Sequence, residues 1–373
     1  MHGELVMKIA IISPYSWAHP GGVNNHIEGL SAELARHGHD VTVVAPDGGP
    51  PPDGARFVTA GRSVPIPANG STARLALAPG TGARIRRILK EGAYDVVHVH
   101  EPLVPFVSTS AVMGTPARVV GTFHAAGEDG SSLHGLARIL FKRVHARIDV
   151  LIAVSEPARM LASRYFPGEY EIVPNGVDLI RFTPGGDRPH SFPKAGPVVL
   201  FVGRNEPRKG IEVLLSAFPV VAREIPGCSL VIAGSGFEDE KVKRELAPEL
   251  WERVRVVGFV NNEDLPAYYS AADVFCAPAL GGESFGMILL EANASGTSVV
   301  ASDIPGYAGV LASTGGGTLF ANGDSTDLAH ALCEMLLDET RRADLVAAGL
   351  AGVNQFSWEH LASRLESLYF PPH

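Results

Sequence analysis

Pro197-Val-Val-Leu-Phe-Val-Gly203-Arg-Asn-Glu-Pro-Arg-Lys-Gly210 is an apolar run that ends in a loop carrying three cations between two glycines. Val198–Gly203 has no polar alternation, so it reads as a parallel strand covered on both faces. The periodic stretch Ile211–Glu224 behind the loop completes a strand–loop–helix unit. Just ahead lies Arg181–Pro197, with Pro184, Gly185, Gly186, Pro189, Pro193 and Pro197. That density of breakers reads as a linker, so Val198 restarts an alternation that has already run once.

Outward from this point the chain is β-α-β-α. The first half has strand patterns at Lys8–Ser13, Asp40–Ala45, Asp95–Val99, Arg118–Thr122, Val150–Ala153 and Glu171–Val173, with helical patterns at Val23–His37 and Leu136–Arg147. The second half repeats this with strands at Ser229–Gly234, Val254–Val257, Asp273–Ala277 and Ser298–Ser302. Its helices are Asp264–Ala271, Phe285–Ala294 and Thr326–Asp338, and Ser357–Tyr369 is a last amphipathic helix. The fold class is α/β, two successive open parallel sheets. A length of 373 residues suits two domains, 1–185 and 190–355.

Composition narrows the partners. A net charge of −9 argues against nucleic acid, and no apolar run approaches the ~18 residues of a membrane span. Cys228, Cys276 and Cys333 are odd in number and far apart, which excludes a disulfide framework and points to a reducing, cytoplasmic setting. Ile9–Ser13 is too short for a signal segment and reads as the first strand. Fourteen histidines form no HExxH or comparable cluster, and no Asp-x-Asp occurs, so no protein-chelated metal is expected.

Ligands of open α/β sheets sit beyond the carboxyl ends of the strands, so the strand-to-helix loops carry the candidates. Gly21-Gly22 precedes a helix whose free N–H groups and dipole favour an anion; the alternative is a flexible turn. Arg204, Arg208 and Lys209 place cations where they oppose a helix dipole, which favours a diphosphate over a structural purpose. In Pro278-Ala-Leu-Gly-Gly-Glu-Ser-Phe-Gly-Met287, the spacing Glu283-x7-Glu291 is about two helical turns, so both carboxylates would face one side and accept sugar hydroxyls. Ser284 and the glycines would donate to phosphate. Ala83-Arg-Ile-Arg-Arg-Ile-Leu-Lys90 sorts Ile85, Ile88 and Leu89 to one face and Arg84, Arg86, Arg87 and Lys90 to the other. That face is either solvated or drawn to anionic lipid.

These motifs, with His98-Val-His-Glu-Pro102, Ala153-Val-Ser155, Pro174-Asn-Gly-Val-Asp178 and Ala271-Ala-Asp273, resemble glycosyltransferase family 4 across essentially the whole chain. The resemblance implies a GT-B fold, two Rossmann-like domains facing across a cleft, with residues 357–373 crossing back to the first. It implies transfer with retention of configuration. Arg204 and Lys209 would neutralise the donor diphosphate, helped by Gly21 and Gly22. Glu283, with Ser284, Phe285 and Gly286, would hold the donor, Glu291 its ribose, and His124 would sit near the reacting carbon; on its own, His124 reads as a satisfied histidine at a strand end.

Ser13-Pro-Tyr-Ser16, Val64-Pro-Ile-Pro67, Asn69-Gly-Ser71 and Arg74 are similar to the actinobacterial phosphatidylinositol mannosyltransferase branch. The branch implies GDP-mannose as donor, no tightly bound cofactor, and a lipid-linked acceptor whose head group meets Asn69, Ser71 and Arg74. It also implies peripheral membrane binding through the basic helix. The branch has an aromatic residue where this chain has Ala68, and an acid and a lysine where it has Asn262 and Leu265. The loop 203–210 is one residue shorter than in the branch. The change at Asn262 and Leu265 motivates an alternative, a UDP-sugar donor with a soluble small-molecule acceptor. A second alternative is a two-domain α/β binding protein, or a silent sugar-nucleotide binder, without catalysis.

Overall fold

A computed structural model describes residues 6–19, 21–68, 71–125 and 141–370, with backbone alone at 67–68 and 71–72. The predicted helix Leu136–Arg147 begins outside the described residues. The chain divides into two compact units, Met1–Gly176 with Trp358–His373, and Val177–Ser357. The breaker-rich stretch 181–197 thus belongs to the second unit.

The first unit carries β1 (Lys8–Ile12), β2 (Asp40–Ala45), β3 (Arg56–Thr59), β4 (Val64–Ala68), β5 (Ser71–Leu75), β6 (Val96–His100), β7 (Arg118–Phe123), β8 (Val150–Ala153) and β9 (Tyr170–Ile172). Seven of these form a parallel sheet in the order β3-β2-β1-β6-β7-β8-β9, and β4 and β5 pair as a separate antiparallel ribbon. The second unit carries β10 (Val198–Val202), β11 (Ser229–Ala233), β12 (Val254–Gly258), β13 (Val274–Ala277), β14 (Ser298–Ser302) and β15 (Gly317–Phe320), in the parallel order β12-β11-β10-β13-β14-β15. In each sheet the strand order reverses beside the unit's first strand, at β1/β6 and at β10/β13. Those crevices are where such folds bind ligands.

Period-2 alternation sends the two faces of each apolar strand into different cores. Val199 and Phe201 join one cluster with Leu230 and Ile232, while Val198 and Leu200 join the other with Val231 and Ala233. In the first unit, Ile9 and Ile11 face the helices Gly22–Arg36 and Trp358–Tyr369, and Ala10 and Ile12 face the helix Thr81–Gly92. The last helix buries Leu361, Ala362, Leu365 and Tyr369 in the first unit, at roughly 1.5–3 kcal/mol for each large side chain. Its Trp358 ring needs two glycines: a Cβ on Gly29 would lie 2.2 Å from it, and one on Gly176 would lie 2.5 Å away.

One patch under this layer is polar. His98 and His100, at i and i+2 on β6, point to one face, where His26 meets them. His98 Nδ1 bonds the buried Tyr369 hydroxyl at 2.8 Å and its Nε2 bonds Thr122 Oγ1 at 2.7 Å. Burial holds the pKa of His26 down at about 4 and of His98 at about 3, and those of His100 and His124 well below the ordinary value. All four imidazoles are therefore neutral when folded.

The unfolded chain protonates these histidines near pH 6.5 and the folded chain does not. Their contribution to stability is thus complete above about pH 6.5 and is lost as the pH falls towards 4. Each adds about 1.4 kcal/mol per pH unit to the slope of that loss. Urea unfolding followed from pH 8 to 5 should show a steep acid limb, made shallower by His98→Gln. A flat profile would contradict neutral burial of the cluster.

Candidate active site

The reversal at β10/β13 sets two loops side by side. β10 and β13 pair in parallel, Val199 with Val274 and Leu200 with Phe275, so residues 203–210 and 278–286 leave the sheet as neighbours. Leu280 N–H donates to Arg208 O at 2.8 Å. Gly210, at φ +69°, could not carry a Cβ, which would sit 1.8 Å from Pro278 O.

Charge then closes the loops on each other. Glu283 Oε1 accepts from Lys209 Nζ at 2.6 Å and from Arg208. Glu206 pairs with Arg208 at 2.8 Å and with Arg204 at 3.0 Å. Three cations thus face two carboxylates. Arg204 is the outermost, with 56% of its side chain exposed, against 16% for Lys209 and 17% for Glu283. Cations held in place before a ligand arrives need little reordering to bind a diphosphate.

The helical reading of Glu283-x7-Glu291 needs correction. The helix begins at Met287, so Glu283 stands in the loop before it and shares no helix face with Glu291. Gly286, at φ +118°, caps that helix without a side-chain hydrogen bond, and its carbonyl accepts from Leu289 N–H at 3.0 Å. Phe285 is buried against Phe356. Glu291 accepts a 2.9 Å bond from Tyr269, and burial raises its pKa while the Arg181 charge lowers it. Arg181 in turn donates to the Asn262 carbonyl.

In the first unit, the helix after β1 starts at Gly22, with Gly21 as an extended cap. Among the described residues, a Cβ on either glycine would meet nothing within 4 Å. Asn24 folds the preceding loop over this end. It receives Ser13 Oγ at 2.8 Å and donates to Ser16 O at 2.8 Å. The ribbon joins the same loop: Ser16 N–H donates to Arg74 O at 3.0 Å, and Tyr15 bridges Leu75. Asn69 lies outside the described residues, and Ser71 is described only as the first residue of β5.

His124 follows β7 and is 7% exposed. Its Nε2 bonds His100 Nδ1 at 2.8 Å, and its backbone N–H, with that of Ala125, donates to Glu101 Oε1 at 2.8 Å each. Glu101 has a left-handed φ of +48°, a strained position for a residue with a Cβ. Glu101, His100 and Arg181 are site residues that no sequence pattern singled out. The two histidines at i and i+2 of a wholly buried strand were the available signal for His100. His26, His100 and His124 bring one nitrogen each within 4.8 Å of one another. However, 2.8 Å between His100 and His124 is a hydrogen bond, shorter than the ~3.3 Å nitrogen–nitrogen edge of a tetrahedral zinc site.

The basic helix Thr81–Gly92 buries Ile85 and Leu89, half-buries Ile88, and exposes Arg84, Arg86, Arg87 and Lys90. Arg84 Nε donates to Thr59 O at 2.9 Å. Arg84 and Arg87 line a cavity of about 510 Å³ together with Gly61, Gly80 and Thr81. Among the described residues, no helix is long and apolar enough to cross a membrane.

Two family descriptions match the chain, glycosyltransferase family 4 over residues 20–181 and glycosyl transferases group 1 over residues 187–351. The chain is 38% identical over 366 residues to a phosphatidyl-myo-inositol mannosyltransferase of Mycolicibacterium smegmatis, covering 97% of this chain and 93% of that protein. It is 31% identical over 367 residues to a GDP-mannose-dependent alpha-(1-6)-phosphatidylinositol monomannoside mannosyltransferase of Mycobacterium tuberculosis, covering 92% and 93%. The solved sucrose-phosphate synthase of Thermosynechococcus elongatus matches with a TM-score of 0.74 at 25% identity, covering 97% of this chain and 98% of that one. With its two parallel-sheet halves and its last helix packed on the first, this chain belongs to glycosyltransferase family 4 and is a hexosyltransferase of the GT-B fold.

Proposed function

We propose that the chain moves mannose from GDP-mannose, with retention of configuration, to a phosphatidylinositol-type lipid. The observation that carries this reading is the Arg208–Glu283–Lys209 cluster at the β10/β13 crevice, set beside relatives whose names specify that chemistry. In the second unit, which takes the donor, Arg204 and Lys209 neutralise the diphosphate as it leaves, the work a metal does elsewhere. Glu283 holds hydroxyls of the sugar and Glu291 the ribose. Ser284, Phe285 and Gly286 contribute backbone donors at the start of the helix Met287–Ala294. Gly21 and Gly22, at the start of the helix after β1, add N–H donors for phosphate.

The first unit takes the acceptor. Asn69, Ser71 and Arg74 of the ribbon meet its phosphorylated head group, and His124 is the catalytic residue beside the reacting carbon. Leaving-group departure and acceptor attack on the same face of the sugar account for retention. Arg84, Arg86, Arg87 and Lys90 draw a cytoplasmic chain onto an anionic membrane surface, at roughly 1 kcal/mol per charge. One observation favours a UDP-sugar donor instead: Asn262 and Leu265 supply neither carboxylate nor ammonium for reading guanine.

Glu283→Ala should lower kcat for transfer by roughly 10²–10³-fold without abolishing the cooperative melt. Full turnover would refute the assignment. Arg87→Glu with Lys90→Glu should weaken cosedimentation with phosphatidylglycerol-containing vesicles by about 30-fold or more. Undiminished binding would leave that helix merely solvated.

A further inference from the structure

The hydrogen bond between His100 Nδ1 and His124 Nε2 holds a single proton between two ring nitrogens. Which ring carries it decides what His124 can do. His100 Nε2 is buried and, among the described residues, has no hydrogen-bond partner. If the proton of His100 sat there, a buried N–H would have nothing to donate to, a rare and costly arrangement. With the proton on Nδ1, only a lone pair is left idle at Nε2, and the 2.8 Å contact to His124 is satisfied. His124 Nε2 then accepts, and a neutral His124 must carry its own proton on Nδ1.

We infer that His100 is a positioning residue that fixes His124 as the Nδ1–H tautomer, so that His124 enters the reaction as a hydrogen-bond donor and not as a base. Its Nε2 lone pair is occupied, and its Nδ1 has none to offer. This rests on the reading above that His124 is the catalytic residue of the transfer.

The surroundings leave the His100 ring little freedom. His98 stacks on it, with ring centres 4.5 Å apart at 25°, and is itself held at both nitrogens by Tyr369 and Thr122. His26 packs edge-on against both His100 and His124, at 5.3 and 5.1 Å. Glu101, next in the chain after His100, fixes the His124 backbone through its two N–H bonds. Strand β6 thus sets both the ring and the main chain of a residue on β7's exit. The donor has one class of target: a hydroxyl or a leaving oxygen whose negative charge grows in the transition state.

The test is nitrogen-15 NMR of the full chain labelled at histidine, with the His124 signals assigned by their loss in His124→Gln. The expected spectrum has His124 protonated at Nδ1, with Nε2 bare but hydrogen-bonded. His100→Leu should release that preference into a mixture of tautomers. It should lower kcat by roughly 10- to 100-fold while the donor KM changes less than about threefold. His100→Asn, whose amide N–H can occupy the Nδ1 position, should restore most of the rate. A His124 protonated at Nε2 in the unaltered chain would overturn the inference, whatever the stability of the variants. An unchanged tautomer and kcat in His100→Leu would also overturn it. Full turnover of His124→Gln would instead remove the catalytic reading of His124, with the spectrum still judging the hold of His100.

Discussion

The ion pairing of Glu283 with Lys209 and Arg208 depends on one constraint, the parallel register of β10 against β13. Because those strands run side by side in the same direction, both loops leave from the same edge of the sheet. A loop with three cations would repel itself there, since Arg204, Arg208 and Lys209 all precede a helix whose N-terminus is also positive. Glu206 and Glu283 resolve that conflict while leaving Arg204 largely in water. The close fit of Gly210 against Pro278 keeps the two loops in contact. The charge arrangement of the second unit is thus an outcome of strand order plus two glutamates.

The first unit solves a different problem. A buried strand bearing His98 and His100 cannot be sealed by apolar side chains alone, because each unpaired polar atom costs on the order of 1–3 kcal/mol. Tyr369 and Thr122 satisfy His98, and the last helix that brings Tyr369 is seated by Trp358 over Gly29 and Gly176. The return of the chain to its first unit therefore does two things at once. It covers apolar residues such as Ile9 and Ile11, and through Tyr369 it completes the hydrogen bonding of His98.

Much of this was legible in the sequence, for local reasons. Val198–Val202 and Ile211–Glu224 announce themselves by unbroken apolar content and 3.6-residue periodicity, and the cationic loop is contiguous between them. Less was legible where partners are remote. β3 is half exposed and β15 is four residues long, beginning with a glycine, so neither carries a strand pattern. The ribbon β4–β5 holds Pro65 and Pro67, which only an isolated edge tolerates. Glu283 looks helical by spacing, yet Gly286 at φ +118° ends the loop, and the helix starts only at Met287, four residues after Glu283. The clamp of Glu101 on His124 exists only because β6 and β7 pair, His100 with Thr122, a register no local pattern encodes.

The most direct measurement follows radiolabel from GDP-[14C]mannose into lipid, with phosphatidylinositol vesicles as acceptor and UDP-glucose in a parallel reaction. Label is expected in a single chloroform-soluble product whose mannosyl linkage keeps the α configuration of the donor, and none from the UDP-sugar. Label remaining in intact GDP-mannose, with no glycolipid formed from either donor, would contradict it.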